Sequence, residues 1–181
     1  MNDKDRILWI TRTAIFVALL MVLQATTAYW GNTIITGSIV NSVLIVSVMM
    51  YGLASGLSVA FISPVTAKFI GIGPLWSIIP FIAAGNIVLV TLWHFIGNRN
   101  TGRKYAAYIA ALICAAVAKF LVLYIGIVRI TVPVILGLPE QQAAVVSIMF
   151  SFPQLITALI GGTLTIIMLP KLKEAIGGRR G

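Results

Sequence analysis

The sequence predicts an all-α integral membrane protein: a single domain, residues 1–181, folded as a bundle of six transmembrane helices with both termini in the cytoplasm. Three observations predict it. Of the 181 residues, 60% are hydrophobic and only 9% charged, whereas a soluble domain carries about 25% charged residues. Lipid is therefore the expected solvent. The apolar residues run in stretches near the roughly 17–25 residues that a spanning helix needs. Most of the 13 basic residues also collect at three places: Lys4 and Arg6, then Arg99, Arg103 and Lys104, then Lys171, Lys173, Arg179 and Arg180. Cytoplasmic segments are rich in Lys and Arg, so an even number of crossings must separate successive clusters.

The first helix is expected near 7–27. No small-residue cleavage site follows a short apolar core there, so it reads as a retained helix and not a signal peptide. The loop AYWGNTIITG leads to a second helix near 38–52, and a third covers about 55–70. Only Gly52 and Gly56 punctuate the join between these two. The fourth spans about 78–97 and is followed by the polar segment NRNTGRK. The fifth lies near 105–128 and the sixth near 144–169. Six crossings that start inside put the 98–104 loop and the C-terminal tail inside with their cations. The outer segments, about 28–37, 71–77 and 129–143, then carry only Arg129 and Glu140. Five or seven crossings would put one basic cluster on the wrong side.

Charge narrows the function. The net charge of +9 sits at helix ends beside the membrane, so no nucleic-acid partner is expected; a weak attraction to anionic headgroups is. Cys114 is the single cysteine, which excludes an internal disulfide. The remaining cations, Arg12, Lys68, Lys119 and Arg129, fall within the apolar stretches or at their edges. Lys68 lies at the outer end of the third helix and Arg129 ends the fifth. Lys119 is about fourteen residues into the fifth, roughly 21 Å at 1.5 Å per residue. An ionisable group in a bilayer costs several kcal/mol unless it meets a wet cavity or a partner. Of the four acids, Asp3, Asp5 and Glu174 are expected on the cytoplasmic side, which leaves only Glu140 for three outer cations.

The outer half also collects Gln24, Tyr29, Trp30, Asn32, Asn41, Trp76, Asn86, Tyr124 and Gln154. Two explanations compete: an outward-opening, apolar-walled ligand cavity, or an interfacial aromatic belt with snorkelling lysines. Lys68, Arg129, Trp30 and Trp76, near the boundary, fit either. Lys119 and Asn86 lie deeper and favour the cavity. Gln154 follows Pro153, which frees a backbone carbonyl that needs another donor. The candidate ligand-binding residues are Lys119, Asn86, Gln154, Lys68, Asn41, Trp30, Asn32, Tyr124 and Arg129. Small residues mark close helix contacts: Ala14 and Ala18 in the first helix, Gly52 and Gly56, and Gly161 with Gly162. The alanine pair serves either internal packing or a partner helix.

What is missing excludes several classes. No GxxxxGK[ST] occurs, so the chain does not hydrolyse ATP through a P-loop. His94 is the lone histidine, with no acids or cysteine grouped near it in the sequence, and no metal site or cofactor is expected. Paired intramembrane carboxylates for acid–base catalysis are absent, and so is an Asp or Glu relay for protons or sodium. No inverted repeat is visible. An enzyme is not expected. A self-sufficient oligomeric secondary transporter or channel remains as an alternative to a binding subunit.

Six helices in this length, a cytoplasmic N-terminus, and AxxxA at Ala14 and Ala18 resemble the substrate-binding S components of energy-coupling factor (ECF) vitamin importers. The segments ITGSIVNSVLI, IPFIAAGNIVLV and FSFPQLITALIGG are similar to the branch grouped with riboflavin-type S components, over nearly the whole chain. The resemblance implies a high-affinity cup in the outer half, capped by the first outer loop at about 27–37. It implies partners too: a transmembrane coupling protein, which the Ala14/Ala18 face would contact, and two ATPase subunits that supply the energy. The location implied is the bacterial plasma membrane, and the bundle would topple to carry its site inward. Unpaired outer cations argue against thiamine. A roomy apolar cavity with few polar groups would favour cobalamin first and riboflavin second.

Overall fold

The computed structural model describes residues 3–99 and 104–177, and every regular element among them is helical. Helix α1 spans Asp3–Ala28, with Asp3 and Asp5 in its first turn, where carboxylates complement the helix dipole. Helix α2 spans Thr33–Tyr51. It starts earlier than expected because Asn32 caps it: the Asn32 side-chain oxygen accepts from the Ile34 and Ile35 amides at 3.0 and 3.2 Å. The loop between α1 and α2 is therefore only 29–32. Gly52, with φ +86°, breaks the chain into α3, Leu53–Phe69. A residue with a Cβ is disfavoured at that φ.

A 3₁₀ turn, Trp76–Ile78, leads into α4, Ile79–Gly97, with a proline in its first turn. Helix α5, Lys104–Leu123, does not end near Arg129. It continues as a π-helix through Tyr124–Leu136. In that wider winding Thr131 Oγ1 donates to the Gly126 carbonyl five residues back, at 2.7 Å. Arg129 is thus within the helical segment. The expected sixth helix is divided into α6, Glu140–Met149, and α7, Phe152–Gly177. The break precedes Pro153, which has no N–H to continue α6 but is tolerated in the first turn of a new helix.

Five segments are long and apolar enough to cross a membrane: Asp3–Ala28, Thr33–Tyr51, Trp76–Gly97, Tyr105–Leu136 and Glu140–Ala175. The apolar α3 has 17 residues. Helix α2 is central and packs against α1, α3, α4 and α7. Its Leu44, Ile45 and Val48 are buried with Val59, Leu89, Val90, Trp93 and Ala115. Where α7 meets α2, Gly161 has the Ser38 carbonyl 2.5 Å from the place a Cβ would occupy. The outside is apolar as well: Ile7, Ile15, Val22, Ile113, Leu121 and Ile167 are exposed. So broad an apolar surface is foreign to a soluble monomer and suits lipid. Lys4, Arg6 and Arg99, with the chain positions of Lys104, Lys171 and Lys173, fall at the N-termini of α1 and α5 and the C-terminal ends of α4 and α7. Arg103, Arg179 and Arg180 lie outside the described residues.

Candidate functional site

At the opposite ends of those helices lies a cavity of about 310 Å³. Its wall comes from the C-terminal end of α1, the N-terminal half of α2, the later part of α3, α4, α5, and the α6–α7 junction. Val40, Ile82, Leu123, Met149 and Phe150 supply apolar surface. Two of its polar side chains, Asn41 and Asn86, meet at Lys119, which is 4% exposed.

Lys119 Nζ donates to Asn41 Oδ1 on α2 at 2.6 Å and to Asn86 Oδ1 on α4 at 2.7 Å. Asn41 Nδ2 in turn donates to Thr157 Oγ1 on α7 at 3.3 Å, and Thr157 Oγ1 donates to the Gln154 carbonyl at 3.1 Å. One chain of hydrogen bonds thus ties α5, α4, α2 and α7 together. Both asparagines are almost wholly buried. Glycines allow the approach: a Cβ at Gly85 would meet Leu123 at 3.1 Å, and one at Gly161 would meet the Asn41 Cβ at 2.7 Å. The ammonium is held by two neutral amide oxygens, and no carboxylate lines the cavity among the described residues. Buried charges are costly without hydrogen-bonded partners, so this centre is an expense that packing alone would not require.

Five of the nine candidate residues line the cavity: Lys119, Asn86, Asn41, Gln154 and Asn32. The last two also have structural duties. Asn32 caps α2. Gln154 Nε2 donates to the Met149 carbonyl at 3.1 Å, which is the acceptor that Pro153, lacking an N–H, leaves open. Gln154→Leu should therefore lower stability by about 1 kcal/mol, or roughly 2–4 °C in Tm for a chain of this size. Thermal unfolding in detergent checks this, and an unchanged Tm would mean that the carbonyl finds another donor.

The other four candidates lie apart from the cavity lining. Trp30 is 62% exposed. Lys68 is half-buried in the last turn of α3, where its backbone packs against Gly73. Arg129 is exposed, its guanidinium 5.4 Å above the Tyr124 ring, and Tyr124 stacks on Phe120 at 5.7 Å. Arg129, Tyr124 and Phe120 form a cation–π and aromatic ladder outside the cavity lining.

The structure adds residues absent from the candidate set. Gln24 and Ser63 line the cavity, and Gln24 Oε1 and Ser63 Oγ are buried with no hydrogen-bond partner. Gln24 stood out as an outer polar residue; Ser63, beside Pro64 in α3, had no sequence feature to single it out. Thr157 completes the polar chain from 116 residues away. Elsewhere, Ala14 and Ala18 are exposed and do not pack into the bundle. With Trp9, Val17, Met21 and Ile62 they line an apolar groove of about 420 Å³ on α1 and α3. Comparisons with family models, with curated proteins and with solved structures each returned no match.

Proposed function

We propose that this chain is the substrate-binding subunit of a multi-protein importer in a bacterial plasma membrane, resembling the S components of ECF vitamin importers. The observation that carries the proposal is the Lys119–Asn41–Asn86 centre opening into a cavity, at the end of the bundle away from the basic clusters. With those clusters inside, both termini are cytoplasmic, α3 is a short sixth crossing, and the cavity faces out. Ligand would be captured from outside and released inward only with a transmembrane coupling protein and two ATPase subunits. The chain has no nucleotide-binding loop of its own.

Size bears on the ligand. A volume of about 310 Å³ lies at the lower end of the roughly 300–1,000 Å³ range of small-molecule sites. The sequence suggested a roomier cup and hence cobalamin. The cavity as it stands favours a vitamin no larger than riboflavin, and a ligand of cobalamin's bulk would need the helix ends to part.

The Ala14/Ala18 groove is the surface offered to the coupling protein, because small residues let a partner helix approach closely. Ala14→Trp should abolish co-purification with the coupling protein while leaving ligand affinity unchanged. An intact complex would assign the groove to lipid. The function as a whole is tested by reconstitution: the chain alone in liposomes should bind ligand without transporting it, and flux should require the coupling protein, the ATPase pair and ATP. Flux from the chain alone would replace this proposal with a self-sufficient oligomeric transporter or channel.

A further inference from the structure

The chemistry of the cavity is one-sided, and that restricts what can occupy it. Lys119 is the one ionisable residue in its lining among the described residues. Protonated, its side chain has three N–H donors. Two are taken by Asn41 Oδ1 and Asn86 Oδ1, both uncharged, and the third has no partner among the described residues. A cationic occupant would add like charge to a buried ion. A neutral acceptor would complete the hydrogen bond but leave the charge uncompensated. A carboxylate does both, through the short charge-assisted bond that such pairs form. A phosphate ester would bring more charge and more acceptor oxygens than one ammonium matches, and no second cation lines the cavity among the described residues.

The remaining orphans describe the rest of the molecule. Gln24 Oε1 is an acceptor without a donor, and Ser63 Oγ is a hydroxyl without a partner. Both residues line the same cavity as Lys119, from α1 and α3. A hydroxyl or amide N–H on the ligand would satisfy them. Buried polar groups left unpaired are costly, so an occupant that pairs all three is favoured over one that pairs only some.

We propose that the cavity binds a small monocarboxylic acid, its carboxylate on Lys119 Nζ and a hydroxyl or amide donor toward Gln24 and Ser63. This rests on the binding-subunit proposal and narrows it to one substrate class. The test uses matched pairs of similar size that differ in the acid group: pantothenate against panthenol, biotin against biotinamide, nicotinate against nicotinamide. Affinities are measured by calorimetry on the wild-type chain in lipid nanodiscs, with thiamine and riboflavin as cationic and neutral comparisons. The expected result is that one acid binds and its neutral partner binds at least about tenfold more weakly. In Lys119→Met, which keeps an unbranched side chain one atom shorter, that preference should vanish. The wild-type comparison stands alone if the variant does not fold. Equal or tighter binding of a neutral member, of riboflavin or of thiamine would overturn the carboxylate assignment and leave the binding subunit standing. Binding of none of these compounds would overturn the assignment too, and flux from the chain alone would then remove the importer as well.

Discussion

Lys119→Met should weaken ligand binding by about 10- to 100-fold while the protein stays folded. The factor follows from a charge-assisted hydrogen bond worth about 1.5–3 kcal/mol, at roughly 1.4 kcal/mol per tenfold. Stability is expected to move the other way, or not at all. Lys119 is 4% exposed and held by two neutral oxygens, and removing a buried charge with no opposite charge beside it relieves its desolvation cost. What opposes this gain is the loss of a donor to Asn41 and Asn86. Asn41 still donates to Thr157, so its side chain remains anchored. Calorimetry and thermal unfolding on the same sample separate the two effects. Wild-type affinity in a folded variant would remove Lys119 from the site.

Gly161→Val should damage stability and binding together. A Cβ at this position would lie 2.5 Å from the Ser38 carbonyl oxygen, 2.7 Å from the Asn41 Cβ and 3.0 Å from the Ser42 amide. Two of these neighbours are backbone, so no rotamer change relieves the clash and α2 must move away from α7. Overpacking of this kind costs about 1–3 kcal/mol. The shift also separates Asn41 from Thr157, whose hydrogen bond is already long at 3.3 Å, and draws Asn41 away from Lys119. A fall in Tm of several degrees, with binding lost, is the expected outcome. Ile160→Ala, at a neighbouring position that is 40% exposed, should do much less. A Gly161→Val protein with wild-type Tm and affinity would mean that α2 and α7 do not rely on this close approach.

How far the sequence led depends on what each residue's signature was. Lys119 and Asn86 were legible because an ion and an amide deep in an apolar run need a partner there, whatever the fold. Lys68, Trp30, Tyr124 and Arg129 share the outer half with them but not their direction. Depth follows from counting residues along a helix, whereas direction around the axis needs an apolar and a polar face to tell apart. A bundle in lipid is apolar on both: Leu44 in the core and Ile113 on the exterior are equally hydrophobic. Hence the sequence could gather four residues that the structure leaves out of the cavity lining.

The boundaries show a similar division. Gly52 was visible as a break and carries the left-handed φ that makes it one. Asn32, expected in a capping loop, instead caps α2 itself, which shortens the loop to a turn. Pro153 is legible in the sequence as a residue that frees a carbonyl. That the freed group is the Met149 carbonyl, met by Gln154, needed the break between α6 and α7. Thr157, Ser63 and Gln24 owe their places to contacts between distant segments, which no local pattern encodes.

The central claim is that the cavity around Lys119 holds a small molecule. Native mass spectrometry tests it most directly, on the wild-type chain purified in mild detergent from a vitamin-replete host and on Lys119→Met prepared alongside. The predicted result is a small molecule bound one-to-one to the wild type and absent from the variant. A wild-type chain that comes off empty, and that takes up none of a panel of vitamins when they are added, would contradict it.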